Sequence, residues 1–466
     1  MPVIQTNSAW DVLLDLERPG HGPLHDRVTR ALRDAIRDGR IGPGSALPPS
    51  RGLAADLGIS RWTVTEAYGQ LVAEGYLEAR TGSATRVRWS RDPVPTGQRA
   101  APLRPEAVRF DMAPGLPDLR AFPRRRWADA IRTEATTIAY AELGYPQPDG
   151  HPRLRRLLAE YLRRSRGATA TADDVTLCTG VADGARRICH ALLASGIDAI
   201  GCEDPGWTRL RDVAHDAGMT VVPIAADNGG LSVDALAGHP GLRAVLATPA
   251  HQFPRGAVLT ATRRAALLRW ARETDGIVLE DDYDAEFRYD RRPVGTLQGM
   301  DPERVILLKS LSKTLSPALH IGWMVAPPRW TEAVRGEVPP TLDQLAFATL
   351  LETGAYDRHL RACRRRYRAR RDALVRALAA HLPGAVVEGA AAGLHLILRL
   401  PFSDVPPGAV VAAADRRGVR VADLASYHAT ADPTDRGLVL GYGNLADNAV
   451  DEAVRRLSAA VHDTMR

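Results

Sequence analysis

EDDYDAEFRYDRRPVGTLQGMDPERVILLKSLSKTLSPALHIGW, residues 280–323, carries the densest chemistry in the chain and decides its fold. The run GIVLED (276–281) reads as a strand that brings Asp281 to its C-terminal end, with Tyr283 just beyond. A second strand, RVILLKS (304–310), leads to Ser310, Ser312 and Lys313 at the same edge. In open α/β sheets, ligands gather at that carboxyl edge.

The lysine is singled out by composition. Of the 61 basic residues only two are lysines, Lys309 and Lys313, and both lie in this segment. A guanidinium is always charged and forms no Schiff base, whereas a desolvated amine does. An amine, a carboxylate and a phenol at one sheet edge match the needs of pyridoxal phosphate. The amine meets the aldehyde, the carboxylate keeps the pyridine nitrogen protonated, and the phenol bonds the ring oxygen. Taken singly, an Asp–Tyr pair is more often a structural hydrogen bond.

Outward from this segment, β-rich runs alternate with amphipathic helices. DVTLCTG (174–180), DAIGCED (198–204) and LRAVLATP (242–249) read as strands, and DGARRICHALLASG (183–196) and TRRAALLRWARETDG (262–276) as helices. Such alternation predicts a mainly parallel sheet with helices on both faces. Thr179-Gly180-Val181-Ala182 opens a helix after a strand, where free N–H groups suit a phosphate. Ser310 and Ser312 add hydroxyls, and Trp207 in GCEDPGW is placed to stack on a ring. After about 335 a long helix, RHLRACRRRYRARRDALVRALAAHL (358–382), opens a smaller α+β lobe.

At 466 residues the chain predicts two or three domains. A cytoplasmic protein is expected, since no apolar run is long enough to span a bilayer and the start lacks the order of a signal peptide. Cys178, Cys189, Cys202 and Cys363 are far apart, which argues against a metal ribbon or disulfide framework and for buried, reduced thiols. A net charge of +6 permits nucleic-acid binding without establishing it.

Residues 22–88 read as a helical unit ending in a hairpin. PLHDRVTRALRDAIRDGRI (23–41) gives an amphipathic helix with Leu24, Val28, Leu32 and Ile36 on one stripe. Pro49-Ser50 supplies a stop and cap for a second helix. Leu57-Gly58-Ile59 forms the turn, and Ser60 caps a third helix, RWTVTEAYGQLVAEG (61–75). That third helix is expected in a DNA major groove with Arg61, Thr63 and Thr65 toward bases or phosphates; Ser50 and Arg51 hold the backbone, and Arg86 and Arg88 reach phosphate from a wing turning at Gly82-Ser83. WSRDPVPTGQRAAPLRPEA (89–107) follows as a linker with four prolines; fully flexible, it would reach roughly 25 Å.

LPPSRGLAADLGISRWTVTEAYGQLVAEGYLEARTGSATRV (47–87) closely resembles the winged-helix domain of the GntR regulators, with Ala84 replacing the second glycine of the usual wing. Residues from about 110 to 460 resemble fold-type I aminotransferases. MAPGLPDLRAFPRRRW, GHPRLRRLLAEYL, EDPGW, TPAHQFPRG, EDDYDAEFRY and SKTLSPALHIGW follow in the order of the MocR/GabR group, which fuses the two. The resemblance implies that Lys313 is the Schiff-base lysine, Asp281 the pyridine-nitrogen partner, Tyr283 the ring-oxygen partner and Trp207 the stacking residue. Val181 and Ala182, through their backbone N–H groups, would join Ser310 in the phosphate cup, and Lys309 falls outside the pattern as structural. His320 stands where the group has a phosphate-gripping arginine. Val439 stands where aminotransferases carry a carboxylate-clamping arginine, with Arg436 off register. Arg209 is the remaining candidate to anchor an effector carboxylate.

The expected architecture is an N-terminal winged helix-turn-helix plus an α/β fold-type I pyridoxal-phosphate aminotransferase-like domain with a small α+β C-terminal lobe. The expected boundaries are 22–88, linker 89–107, large domain 108–335 and small lobe 336–466. The resemblance implies a homodimer that binds double-stranded operator DNA and responds to pyridoxal phosphate, an amine or an amino acid. Two other readings stay open: a working aminotransferase that carries a DNA-binding domain, and a DNA-binding protein whose fold holds no cofactor.

Overall fold

The computed structural model describes residues 14, 22–79, 84–89, 108–289, 294–389, 392–400, 406–429, 432 and 434–465. The chain divides into two compact units, Met1–Arg104 and Pro105–Arg466.

In the first unit, helix α1 (Leu24–Arg37) buries Val28, Leu32 and Ile36, the expected stripe. Leu24, at its first turn, is instead 40% exposed. Helix α2 (Ser50–Asp56) corrects one expectation. Pro49 is its cap residue and no side chain caps it, so Ser50 is already the first helical residue. Its hydroxyl instead accepts a bond from Arg61 Nε at 3.4 Å. Gly58 makes the turn with φ +63°, a backbone that L side chains rarely adopt. Helix α3 (Arg61–Ala73) starts as expected, with the Thr63 N–H donating to Ser60 Oγ at 3.1 Å. Strands β1 (Leu77–Glu78) and β2 (Arg86–Val87) pair antiparallel, Leu77 opposite Val87. Leu53, Val64 and Leu71 join the α1 stripe in one small core. The Gly82-Ser83 turn, and the linker beyond Trp89, lie outside the described residues.

The second unit opens with β3 (Phe110–Asp111) and helix α4 (Pro152–Arg166). Strand β4 (Val175–Cys178) runs into helix α5 (Val181–Ala194), followed by β5 (Ala199–Asp204), β6 (Thr220–Asp227), β7 (Gly230–Leu231) and β8 (Ala244–Ala247). Helix α6 (Ala261–Glu273) leads to β9 (Ile277–Asp281), β10 (Val305–Ser310) and β11 (Gly322–Val325). These eight strands form one sheet in the order β4-β11-β10-β9-β8-β5-β6-β7. The block from β10 to β6 is parallel, and β11 is antiparallel between β10 and β4.

The pleat of β10 shows how the faces divide. Ile306 and Leu308 enter a core with Ile188 of α5, while Leu307 enters another with Leu158 of α4. Alternate residues of a strand point to opposite faces, so a helix layer on each side explains the unbroken apolar run.

Helix α7 (Ala355–His381) begins the smaller lobe, which continues with β12 (Val386–Glu388), β13 (His395–Arg399), β14 (Val419–Arg420), β15 (Ala422–Asp423), β16 (Leu438–Gly441) and helix α8 (Val450–Asp463). Its sheet runs β12-β13-β16-β15. The lobes interleave more than the linear boundaries 108–335 and 336–466 imply. β3 pairs with β14, Phe110 opposite Val419, and Phe347 stacks on Trp323 of β11 at 6.0 Å. Sequence pattern reports periodicity along the chain, not which distant segment a short strand joins. The four cysteines are free and buried, and among the described residues no helix is long and apolar enough to cross a membrane.

The cap of α3 is testable. Ser60→Ala removes the acceptor for the Thr63 N–H and should cost about 1 kcal/mol locally. Hydrogen exchange of the α3 amides in the full chain should then accelerate about fivefold; unchanged exchange would show that the cap contributes nothing.

Candidate functional site

The carboxyl ends of β5, β8, β9 and β10 open onto a cavity of about 270 Å³. Four of the expected cofactor residues line it: Trp207, Asp281, Tyr283 and Lys313. Lys313 Nζ donates to the Gly115 carbonyl at 2.5 Å and stands 5.7 Å from the centre of the Trp207 ring. Burial pushes its pKa below the usual lysine value, against the opposing pull of Asp281 and Asp284. A lowered pKa leaves more of the amine unprotonated and nucleophilic. Gly115 has φ +96°, a backbone that L side chains rarely adopt, and a Cβ there would crowd Lys313 Nζ at 3.0 Å.

Asp281 is buried, and its Oδ1 has no hydrogen-bond partner. Burial raises its pKa to about 7, Asp282 adds to the rise, and Lys313 opposes it. A buried carboxylate oxygen without a partner is a demand for a donor. A pyridinium N–H supplies one, and the adjacent amine suits an aldehyde, so the residues fit pyridoxal phosphate.

Tyr283 Oη lies 2.9 Å from Nδ1 of His251. That nitrogen also lies 3.0 and 3.1 Å from the two oxygens of Asp284, while His251 Nε2 is buried without a partner. Gly393, at φ +78°, makes room: a Cβ there would fall 2.1 Å from His251 Cε1. His395 is held neutral, its pKa lowered by burial and by His251 to about 3, and its Nε2 lies 3.0 Å from the Pro254 carbonyl oxygen. Phe253 meets Tyr427 and His395 edge to face at 4.9 and 5.0 Å. Sequence reasoning missed His251, Phe253, His395 and Tyr427. TPAHQFPRG resembles a family signature, but no spacing rule assigns its His and Phe to this wall.

The other expected residues lie outside the cavity lining. Val181 and Ala182 begin α5, whose first turn no side chain caps. Ser310 is buried at the end of β10, where its Oγ accepts from the Ser312 N–H at 3.4 Å. His320 is exposed, with φ +48°. Arg209 is exposed on the helix Thr208–Asp216. Val439 is buried in a small apolar cluster with Ile397 and Leu424, against which Tyr427 of the cavity lining packs.

In the first unit, Arg51, Ser60, Arg61, Thr65 and Arg86 are exposed and Ser50 is half-buried. Arg86 Nη1 donates to the Gly44 carbonyl at 2.9 Å. Thr63 corrects the expectation that it faces DNA. It is only 5% exposed, and its hydroxyl lies 2.8 Å from that of Ser60, because the third residue of a capped helix turns back to its cap. Trp62, which sequence reasoning passed over, is 63% exposed beside Arg61 and meets the His25 ring edge-on at 5.6 Å.

Comparison with known proteins covers both units. Residues 24–87 match the bacterial regulatory proteins of the gntR family, and residues 118–437 match aminotransferase class I and II. The chain is 32% identical over 470 residues to the uncharacterized HTH-type transcriptional regulator YhdI of Bacillus subtilis, covering 97% of this chain and 98% of that one. It is 32% identical over 479 residues to the probable rhizopine catabolism regulatory protein MocR of Rhizobium meliloti, with 96% of each covered. Identity is also 32% over 448 residues to the pyridoxine biosynthesis transcriptional regulator PdxR of Corynebacterium glutamicum, covering 93% and 95%. The kynurenine aminotransferase of Pyrococcus horikoshii shares the fold, with TM-score 0.68 and 23% identity over 77% of this chain and 91% of that one.

Asp281 makes the cofactor-free protein sensitive to pH. Its pKa is raised from 3.8 to about 7 in the folded chain. Its contribution to stability is therefore complete below the unfolded value and is lost as pH rises through the folded one. Asp281→Asn should stabilise the cofactor-free protein by up to about 4 kcal/mol near pH 8. The gain should shrink toward about pH 5 in urea titrations; a pH-independent difference would contradict the burial argument.

Proposed function

We propose, for a chain that belongs to the MocR/GabR-type regulators, a GntR-family reader joined to an aminotransferase class I and II domain, that it is a pyridoxal-phosphate-dependent transcriptional regulator acting in the cytoplasm. The observation that carries the reading is the meeting of Lys313, Asp281 and Tyr283 in one cavity, in a chain that also presents a capped, exposed helix α3. Relatives similar along nearly the whole length are named as regulators, which makes the reader integral and leaves the reading as a free-standing aminotransferase disfavoured.

In this reading α3 enters the major groove with Arg61 and Thr65 toward the bases. Ser50, Arg51, Ser60 and Arg86 serve the phosphate backbone. The protein acts as a homodimer on two spaced half-sites. In the second unit Lys313 supplies the amine for the cofactor aldehyde, Asp281 holds the pyridine-nitrogen proton, Tyr283 the ring oxygen, and Trp207 covers the ring. The phosphate lies against the uncapped start of α5 at Val181 and Ala182, with Ser310 and Ser312 nearby. When bound, the cofactor supplies an electrophilic carbon that captures primary amines.

The cavity also bears on the effector. Among its described lining residues Lys313 is the one charged cation, and Leu116, Phe253, Leu394 and Tyr427 form an apolar wall. With Lys313 engaged by the cofactor, a carboxylate there would be desolvated with no lining counter-charge left and close to Asp281 and Asp284. The effector is therefore the vitamer itself or a primary amine with an apolar tail. Its effect on DNA affinity must equal the effect of DNA on its own affinity.

Two outcomes test the reading by DNA binding of the purified protein. Arg61→Ala should weaken operator binding about tenfold and lower the salt slope by about 1, with cofactor absorbance intact. Lys313→Ala should abolish that absorbance, and unchanged affinity in Arg61→Ala would refute the placement of α3. Separately, apolar primary amines should shift operator affinity of the cofactor-loaded protein at concentrations about tenfold below those of α-amino acids of similar size. Equal potency would return the carboxylate clamp to the site.

A further inference from the structure

A second dense group of buried charges lies on the opposite face of the main sheet. Asp281 and Tyr283 line the cavity, whereas Asp282, just past the end of β9, meets residues on the α4 side. There Arg166 of α4 forks the Asp282 carboxylate at 2.9 and 3.1 Å. Lys309 of β10 reaches three acceptors: the Asp282 carbonyl at 3.0 Å, Asp282 Oδ2 at 2.9 Å and Glu286 Oε1 at 2.8 Å. Arg364 grips the far end of the turn, donating to the Glu286 carbonyl at 2.6 and 2.8 Å.

The Asp282 carbonyl belongs to the peptide group that joins Asp282 to Tyr283. Lys309 therefore holds the main chain midway between the two residues assigned to the cofactor ring. An ammonium directs three donors in a tetrahedral fan, whereas a guanidinium presents a flat fork. A carbonyl and two carboxylates converging on one point need the former, and Arg166, facing one carboxylate edge, uses the latter. In a chain where every other cation except Lys313 is arginine, that geometry accounts for a lysine here.

We propose that Lys309 is a positioning residue of the cofactor site: by tying the Asp282 carbonyl to the Asp282 and Glu286 carboxylates, it sets where Asp281 and Tyr283 meet the pyridine ring. The inference rests on the reading that those two residues and Lys313 hold pyridoxal phosphate. The electrostatics agree. Arg166 and Lys309 balance Asp282 and Glu286, and Lys309 is among the charges that hold the Asp281 carboxyl down while Asp282 pushes it up.

The test uses full-length protein, pyridoxal phosphate, and two variants, Lys309→Met and Glu286→Gln/Lys309→Met. The double variant restores charge balance while leaving the Asp282 carbonyl untied. Affinity is read by absorbance titration, ring orientation by visible circular dichroism at saturation, and folding by thermal melting. Both variants should bind pyridoxal phosphate at least about tenfold more weakly than the wild type. At saturation both should show a visible dichroic band well below the wild-type amplitude. The double variant should melt near the wild type, so it decides the matter if the single variant does not fold. Wild-type affinity and dichroism in the double variant would show that the cluster only balances charge, and would overturn the proposal. Failure of the wild type itself to bind pyridoxal phosphate would overturn the cofactor reading, and this inference with it.

Discussion

A carboxylate with nowhere to put one of its oxygens governs the second unit. Asp281 ends a fully buried strand, and removing a charge from water is costly unless a partner replaces the lost hydration. Lys313 and the shift of its pKa toward neutrality meet part of that cost. The other polar groups near it are largely occupied: His251 with Asp284 and Tyr283, His395 with a carbonyl, Glu203 with Thr248 and Gln252. The cavity is thus built so that a few unsatisfied atoms face an otherwise apolar space. That is a description of selectivity for a ring with one polar edge.

Strand parity carries this organisation through the sheet. Asp281 at the end of β9 faces the cavity, while Glu280 before it accepts from the Leu297 and Gln298 amides and Asp282 after it enters the Arg166–Lys309 cluster. Three adjacent carboxylates coexist because Glu280 and Asp282 are each met by their own donors, leaving Asp281 to the cavity. Glycine does similar service at the rear wall, where Gly393 admits the His251 ring while its carbonyl is held by Tyr289 and Tyr442. A methyl group at that position has no vacant volume to enter.

Much of this was legible in the sequence, and the limits have physical causes. The parallel strands, the α3 cap and the Lys-Asp-Tyr set follow from period, capping chemistry and the rarity of lysine, all of them local properties. The antiparallel entry of β11, the pairing of β3 with β14 and the Phe253–His395–Tyr427 wall depend on contacts between segments far apart in the chain, which periodicity does not encode. Thr63 and Ser50 erred by one or two positions, because a cap residue and its neighbours exchange roles within a single turn. Lys309 has no role that sequence pattern assigns, since its partners on Asp282 and Glu286 become neighbours only when β9 and β10 lie in register.

The near-total replacement of lysine by arginine has a consequence for the outside of the molecule. With Lys309 buried and Lys313 inside the cavity, no lysine side chain is fully exposed. Surface cations are then guanidiniums, whose charge persists at any pH a cell experiences and whose planar forks match phosphate oxygens. Acyl donors and aldehydes in solution find almost no competing side-chain amines on this chain. A carbonyl reagent small enough to enter the cavity therefore meets a nearly unique target, which makes Lys313 addressable by covalent labelling without mutating anything else.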